Sequence, residues 1–454
     1  MNRARSLALL AAAPLLAACV GPKAYLAPSP NVPAVFAGSQ GVGRVTASRA
    51  WWTAFQDPTL NRLIAAGLSQ NLSVLQAVER IEEARAGVAG ANAGFMPQIS
   101  GSYFDGRGDR TGAGTTTIDS RSANAGWLLD LFGKVQSGRA AALAQLDAAY
   151  ASADSARIAM SGSVAQAYTD LRYYQQSMAL TRASIASRVK TRDLIRSSLE
   201  SGAATKLDTL QADQLVAVAE AQLPAFETGY SASLNRLATL TGIPTTTLGP
   251  MLAKGAGQPS PRFKASVGVP ADVVRNRPDV IAAERALAAA SANVGVAWAE
   301  LFPSLSLTGA ITSTSLAGAS AGKTWSFGPS IDLPIFAGGA RQASFTAAES
   351  RARQANLAWQ LAVRGAVEEI QSSLAAYQRD AQSMAASQRL LSISQETVEL
   401  ARSSYEIGGG TFLSVLDAER ALLDARSGLA SATRNRALDY INLSTATAAG
   451  IGTP

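Results

Sequence analysis

The clearest pattern in the chain is an alternation in its second half. Leu305, Leu307, Gly309 and Ile311 share one side of an extended segment, and Ser304, Ser306, Thr308 and Ala310 share the other. A period of two is the signature of a strand. A return segment repeats it with Trp325, Phe327 and Ile331 against Thr324, Ser326, Ser330 and Asp332. An earlier segment sets Ala123, Ala125, Trp127 and Leu129 against Ser122, Asn124 and Asp130. Strands of about ten residues with one apolar and one polar face suit a transmembrane β-barrel. The Gly-, Ser- and Thr-rich stretches 105–121 and 312–324 are expected to be external loops. Elsewhere, Leu, Ile and Val recur at three- and four-residue steps in Ala-rich runs. This predicts helices over roughly 58–94, 134–200, 278–300 and 339–406, with others resuming near 205 and 411. A run of about 66 residues at ~1.5 Å per residue reaches on the order of 100 Å. Four strands cannot close a barrel whose practical minimum is about eight, so neighbouring chains must supply the remainder.

The order of these signals occurs twice. Gly90 to Pro97 (GANAGFMP) is echoed by Val296 to Pro303 (VAWAELFP), a shift of 206 between the two prolines. Gly202 to Leu210 (GAATKLDTL) matches Gly408 to Leu416 (GGGTFLSVL) at the same shift. Asp130-Leu-Phe-Gly133 and Asp332 to Gly338 stand 202 to 205 apart, as one hairpin differing slightly in length requires. The fold class expected is therefore a mixed α and β membrane protein of two internal repeats. Its divisions are a leader over 1–18, an extended tether over 19–50 and a first helix with its surroundings over 51–94. A first hairpin over 95–132 and first-half helices over 133–241 follow. A connector over 242–277, a helix over 278–300, a second hairpin over 301–336, helices over 337–447 and a tail over 448–454 complete the chain. Arg277-Pro278-Asp279 opens the second-half helix, with Pro suited to the first turn and Asp to its positive end, a structural role.

Composition narrows the chemistry. Arg3 and Arg5, the apolar run Leu7 to Leu16, and Ala17-Ala18 before Cys19 have the layout of a secretory signal. Leu16-Ala17-Ala18-Cys19 also resembles the bacterial lipobox, whose cysteine is lipidated, and several acyl chains anchor a protein stably. Cys19 is the single cysteine, so disulfides are excluded. By the sorting rule of such lipoproteins, Val20 and Gly21 in place of Asp imply the outer membrane. Pro22, Pro28, Pro30 and Pro33 favour an extended lead from membrane to body. Without Arg3 and Arg5 there are 38 basic residues against 33 acids, a net charge of +5, and these are spread without a basic run or interleaved aromatics. Nucleic-acid binding is not expected. No stretch beyond the leader is expected to be long and charge-free enough to cross a bilayer as a helix.

The chain has no histidine, which removes the commonest general base and metal ligand, so neither catalysis nor a metal site is expected. Gly318-Ala-Ser320-Ala-Gly322 has the spacing of a nucleophile elbow, with no histidine to activate Ser320. Gly322-Lys323-Thr324 ends like a phosphate-binding loop, but Ala317 stands where its first glycine belongs and a strand follows. The acidic pairs Glu82-Glu83 and Glu368-Glu369 are read as solvated or interhelical partners.

The lipobox, Trp52 to Phe55 with Asp57-Pro58 and Leu60, the two Phe/Pro steps into strands, Leu129 to Gly133, Arg277 to Val280, and Gly408 to Arg420 occur in the order of a known family. From Cys19 onward the chain resembles the TolC-like outer membrane factors, in the branch of NodT-type efflux lipoproteins. The resemblance implies a homotrimer whose twelve strands close one outer-membrane barrel above twelve helical rods in the periplasm. It implies an outer-membrane exit duct for drugs or other small molecules. Its partners would be a periplasmic adaptor protein, an inner-membrane RND-type transporter and outer-membrane lipid, and its only attached group the covalent lipid on Cys19. The adaptor would meet the turns at Gly202, Thr205, Gly408 and Thr411. A periplasmic gate would be formed by Leu413 as apolar constriction, Asp417 facing the lumen and Arg420 bridging to an adjacent helix. An Asp and Arg three residues apart also suit simple support of their own helix. In the first half Gln211 and Gln214 occupy the matching positions, so this charge arrangement is not duplicated. A type I protein-secretion duct and a non-conducting structural envelope lipoprotein are the alternative functions.

Overall fold

A computed structural model describes residues 25–33, 36, 50–110, 114–261, 270–316 and 320–447. After a short 3-10 helix (Trp51–Phe55), the elements are α1 (Pro58–Gln70), α2 (Leu72–Ala93), β1 (Gln98–Arg110), β2 (Gly114–Leu129), α3 (Lys134–Glu200) and α4 (Lys206–Thr241). Then come α5 (Thr245–Ala253), α6 (Pro270–Arg275), α7 (Pro278–Ala299), β3 (Ser304–Leu316), β4 (Gly322–Asp332), α8 (Ala340–Glu406) and α9 (Phe412–Thr447). The duplication is literal. α2 and α7 have 22 residues each, β1 and β3 13, α3 and α8 67, and α4 and α9 36, and the starts of each pair are 206 residues apart. The second strand of each hairpin differs, 16 residues in β2 against 11 in β4.

The chain forms two compact units. One comprises residues 1–29, 79–151 and 281–362 and holds the four strands, joined in the order β1-β2-β3-β4 with every neighbour antiparallel. Contrary to the loops expected at 105–121 and 312–324, most of those residues lie in the strands. The ladder needs only backbone groups, so Gly, Ser and Thr extend it past the length a bilayer requires. In the same unit Tyr25 packs on Ala144 of α3 and on Ala288 and Ala289 of α7, and its hydroxyl donates to Glu284 Oε1 at 2.5 Å. Burial and that bond push the Tyr25 phenol well above its usual range. By length and composition α7 is long and apolar enough to cross a membrane, with a mean hydropathy of 1.3, a departure from the sequence expectation. Its apolarity comes largely from alanine, and its charges are engaged by protein: Glu284 by Tyr25, Arg285 by Asp147 at 3.8 Å. These contacts suit a packing helix.

The other unit comprises 30–78, 152–280 and 363–454. Asp57 caps α1, accepting from the amides of Thr59 (2.8 Å) and Leu60 (3.2 Å), with Pro58 in the first turn. The other oxygen of the same carboxylate accepts from the Tyr168 hydroxyl at 2.6 Å, and burial together with this bond pushes that phenol up to about 12. Arg172, buried, donates to Tyr168 and to the carbonyls of Leu252 and Lys254, tying α3 to the connector between the halves. Gly67 lets α1 sit on α3, since a Cβ there would lie 2.5 Å from Met160 Sδ.

Arg277 is the hub of the second half. Its guanidinium grips Asp279 at 2.9 and 2.7 Å, Glu369 of α8 at 2.7 Å and the Ala446 carbonyl of α9 at 2.6 Å. Burial opposes its charge, but Asp279 and Glu369 outweigh it and hold the guanidinium above its usual range. The first half performs the same task 206 residues earlier without a charge. Asn71 caps α2 through Ser73 and Val74 and donates to the Leu240 carbonyl at 2.9 Å.

Candidate functional site

Directly opposed residues of an antiparallel ladder share a face, so the register assigns every strand residue to one side of the sheet. One face carries the rows Leu129–Leu305–Ile331, Trp127–Leu307–Pro329, Ile99–Ala125–Gly309–Phe327 and Gly101–Ala123–Ile311–Trp325. The next row, Tyr103–Arg121–Ser313–Lys323, ends the apolar band, with the Arg121 guanidinium 5.6 Å from the Tyr103 ring. The other face carries Ser100–Asn124–Ala310–Ser326 and Ser102–Ser122–Thr312–Thr324. The alternation read from the sequence is therefore the structural division. Ile99, Trp325 and Phe327 are 80, 79 and 71 % exposed in one chain, an apolar band that water does not favour and lipid does. Phe104 departs from the pattern by lying on the polar side, where its ring covers Gly106.

β1 and β4 each pair on one side only. After three antiparallel steps they run in opposite directions, so β4 of one copy can continue the ladder onto β1 of the next. That contact is head-to-tail, and it closes into a ring about a symmetry axis. With three copies the ring has twelve strands, lipid-facing outside and hydroxyl-lined inside.

The second candidate region is the pair of helical turns. Gly202 and Gly408 both adopt φ of 76°, which lets each long helix end in a left-handed residue. The Ala203 amide then donates to the Ser198 carbonyl at 2.8 Å, and the Gly409 amide to that of Ser404 at 2.9 Å. Thr205 opens α4 through a reciprocal capping box with Asp208, whose carboxyl is held below its ordinary value by bonds from the Thr205 hydroxyl and amide. Thr411 caps α9 by accepting from the Ser414 amide at 3.3 Å. All four of these turn residues are exposed.

On α9, Leu413, Asp417 and Arg420 are exposed at spacings of four and three, hence on one face, while Phe412, Val415, Leu416 and Glu419 are buried on the other. The structure thus brings the three predicted gate residues together. Cys19 lies outside the described residues. The sequence reading missed a second charged arrangement nearby. Arg402 of α8 pairs with the buried Glu419 at 2.6 Å and also reaches Ser187 of α3, while Thr191 donates to Glu419 at 3.2 Å. This pair is duplicated, because Arg196 and Asp213, 206 residues earlier, pair at 2.8 Å. Two signals could have found it: the repeat itself, and the position of Glu419 on the apolar stripe of Phe412, Leu416 and Leu423. Beside it Arg188 donates to the Leu215 carbonyl at 2.7 Å, and burial lowers its guanidinium despite Glu419 and Asp424. Among the described residues no group of three His, Cys, Asp or Glu is placed to hold a metal.

Comparison with known proteins fits this geometry. The family described as Outer membrane efflux protein matches the chain twice, over residues 63–243 and 269–449, the same 206-residue shift. The chain belongs to that family. It is 39 % identical over 449 residues to Nodulation protein T of Rhizobium leguminosarum bv. viciae, covering 97 % of this chain and 92 % of the relative. It is 33 % identical to the solvent efflux pump outer membrane protein SrpC of Pseudomonas putida, over 86 % of this chain and 84 % of that one. The solved outer-membrane channel OprN superposes with a TM-score of 0.87 at 28 % identity, covering 96 % of this chain and all of that one. The chain is thus the outer-membrane channel of an RND-type tripartite efflux system, a passive conduit and not an enzyme. Its open sheet is one third of a trimeric barrel, and it extends from the outer membrane through the periplasm.

Proposed function

We propose that the trimer conducts drugs or other small molecules from an inner-membrane transporter and a periplasmic adaptor, with its closable end at the turns between α8 and α9. The observation that carries this is the two-faced, open-edged sheet, whose inner rows are mostly Ser, Thr and Asn and offer a solute water rather than a pocket. The hairpins 95–132 and 301–336 would be the membrane segments, the helices of 133–241 and 337–447 the periplasmic tunnel, 278–300 the second-half helix, and 51–94, the connector 242–277 and the carboxyl end the equatorial belt. Residues 1–18 would be removed, Cys19 lipidated, and 19–50 the tether; 448–454 would be the C-terminal tail. The adaptor would dock at Gly202, Thr205, Gly408 and Thr411, whose exposure supports that role.

In the gate, Leu413 narrows the bore, three copies of Asp417 form a cation-attracting ring, and Arg420 bridges to a neighbouring helix. The common exposed face of these residues supports this reading. Single-channel conductance in planar bilayers tests it. Wild type should show a small conductance that rises in Asp417→Ala and Arg420→Ala, with cation preference reduced in Asp417→Ala alone. Unchanged conductance in both variants assigns the two residues to support of their own helix.

A further inference from the structure

α8 and α9 lie antiparallel, and two contacts fix their register at one level. The rings of Tyr377 and Tyr440 are 6.0 Å apart, and Arg436 Nη1 approaches Met384 Sδ at 3.7 Å. Asp380, three residues beyond Tyr377, and Asp439, next to Tyr440, fall between those contacts, and helical spacing puts each on the face its helix turns to the other. Their carboxyl groups are within hydrogen-bonding reach. Asp439 Oδ2 is buried and receives no other donor.

Among the described residues, no cation is paired with either carboxylate. Arg436, on the same helix, is turned toward the Met384 sulfur and the Tyr377 ring, 5.9 Å from its centroid, and its own buried Nε has no acceptor. Arg379 of α8 is exposed to solvent. Tyr440 leads on to the short helix at 51–55, where its hydroxyl meets the Trp51 carbonyl and its ring the Phe55 ring, and neither residue brings a charge. Two ionised carboxylates at this level of the two helices repel each other, and a single proton held between them removes that repulsion. The joint does not need acids to pack. The positions 206 residues earlier are Tyr174 and Ser233, both neutral.

We propose that Asp380 and Asp439 share one proton and form a pH-operated clasp between α8 and α9, closed in acid and released as the surrounding medium turns alkaline. Burial, then the bond to Asp380 and its charge, push the Asp439 carboxyl up to about 7. The sign follows from the direction. The folded state holds this proton more tightly than the unfolded chain. The clasp's stabilisation is therefore complete below the ordinary carboxyl range and is lost as pH rises through about 7. The chain extends through the periplasm.

The test is an infrared titration of the purified full-length trimer between about pH 5 and about pH 9, with thermal unfolding over the same range. Wild type should show a protonated-carboxyl carbonyl band that disappears near neutrality. Asp439→Asn and Asp380→Asn should each lose that band. Their unfolding temperature should fall less than that of wild type between the acid and alkaline ends. If one variant fails to assemble, the other and the wild-type titration still decide. A band that persists in both variants, or no band near neutrality in wild type, overturns the clasp.

Discussion

Phe327→Arg should abolish assembly of the trimer in membranes, whereas Ser326→Arg, one residue away, should leave it assembled. Phe327 stands in the middle apolar row beside Gly309, 71 % exposed on a face with no protein cover. An arginine near the bilayer midplane of a barrel costs about 2–4 kcal/mol. Three copies act together on one barrel, so the penalty per trimer is comparable to the whole stability of a typical domain. Ser326 belongs to the row with Asn124 and Ala310, on the face assigned to the water-filled bore. There a guanidinium stays solvated and only alters conductance. Membrane fractionation followed by electrophoresis without boiling reads both outcomes. Equal loss of trimer in the two variants would mean that the faces are wrongly assigned.

Arg277→Ala should be the most destabilising single change in the helical part of the second half. The side chain is only 10 % exposed and connects Asp279, Glu369 and the Ala446 carbonyl. Removing one partner of a buried ion pair costs about 3–5 kcal/mol. The lower figure applies here, because both carboxylates are roughly half exposed and screened by water. Asn71→Ala, at the corresponding place in the first half, should cost about 1–2 kcal/mol, the value of a lost cap. Chemical unfolding of the detergent-solubilised protein provides the comparison. A larger loss at Asn71 than at Arg277 would contradict the assignment of Arg277 as the hub.

Much of the architecture is legible in the sequence because it rests on strong periodicities. Alternation at 304–311 and 324–332 gives the sheet faces, and the repeated GAATKLDTL and GGGTFLSVL give the turns, whose glycines need a positive φ that few other residues tolerate. The ends of the strands were not legible. Residues 105–110 and 312–316 have the composition of loops, and only cross-strand pairing makes them strands. Long-range side-chain partnerships were equally hidden. Arg277 reads as a residue before a helix start, and its reach to Glu369 and Ala446 depends on how three helices meet. Glu419 was overshadowed by the exposed Asp417 and Arg420, although it, and not they, is held in an ion pair with Arg402 in the single chain. Asp380 and Asp439 are unremarkable until the antiparallel register brings them together.

A closed barrel requires identical chains to join the sheet head-to-tail through β1 and β4. The single cysteine of the chain, Cys19, lies far in sequence from both strands, so introduced cysteines report on the edges alone. Ser102→Cys on β1 would be combined in turn with Thr324→Cys, Ser326→Cys, Gly328→Cys or Ser330→Cys on β4. Each double variant would then be oxidised in membranes and its covalent species sized without reductant. Covalent trimers should form for one register of the pairing, and none for Ser102→Cys alone. Covalent dimers from Ser102→Cys by itself, or no linkage at any register, would contradict a ring closed by these two edges.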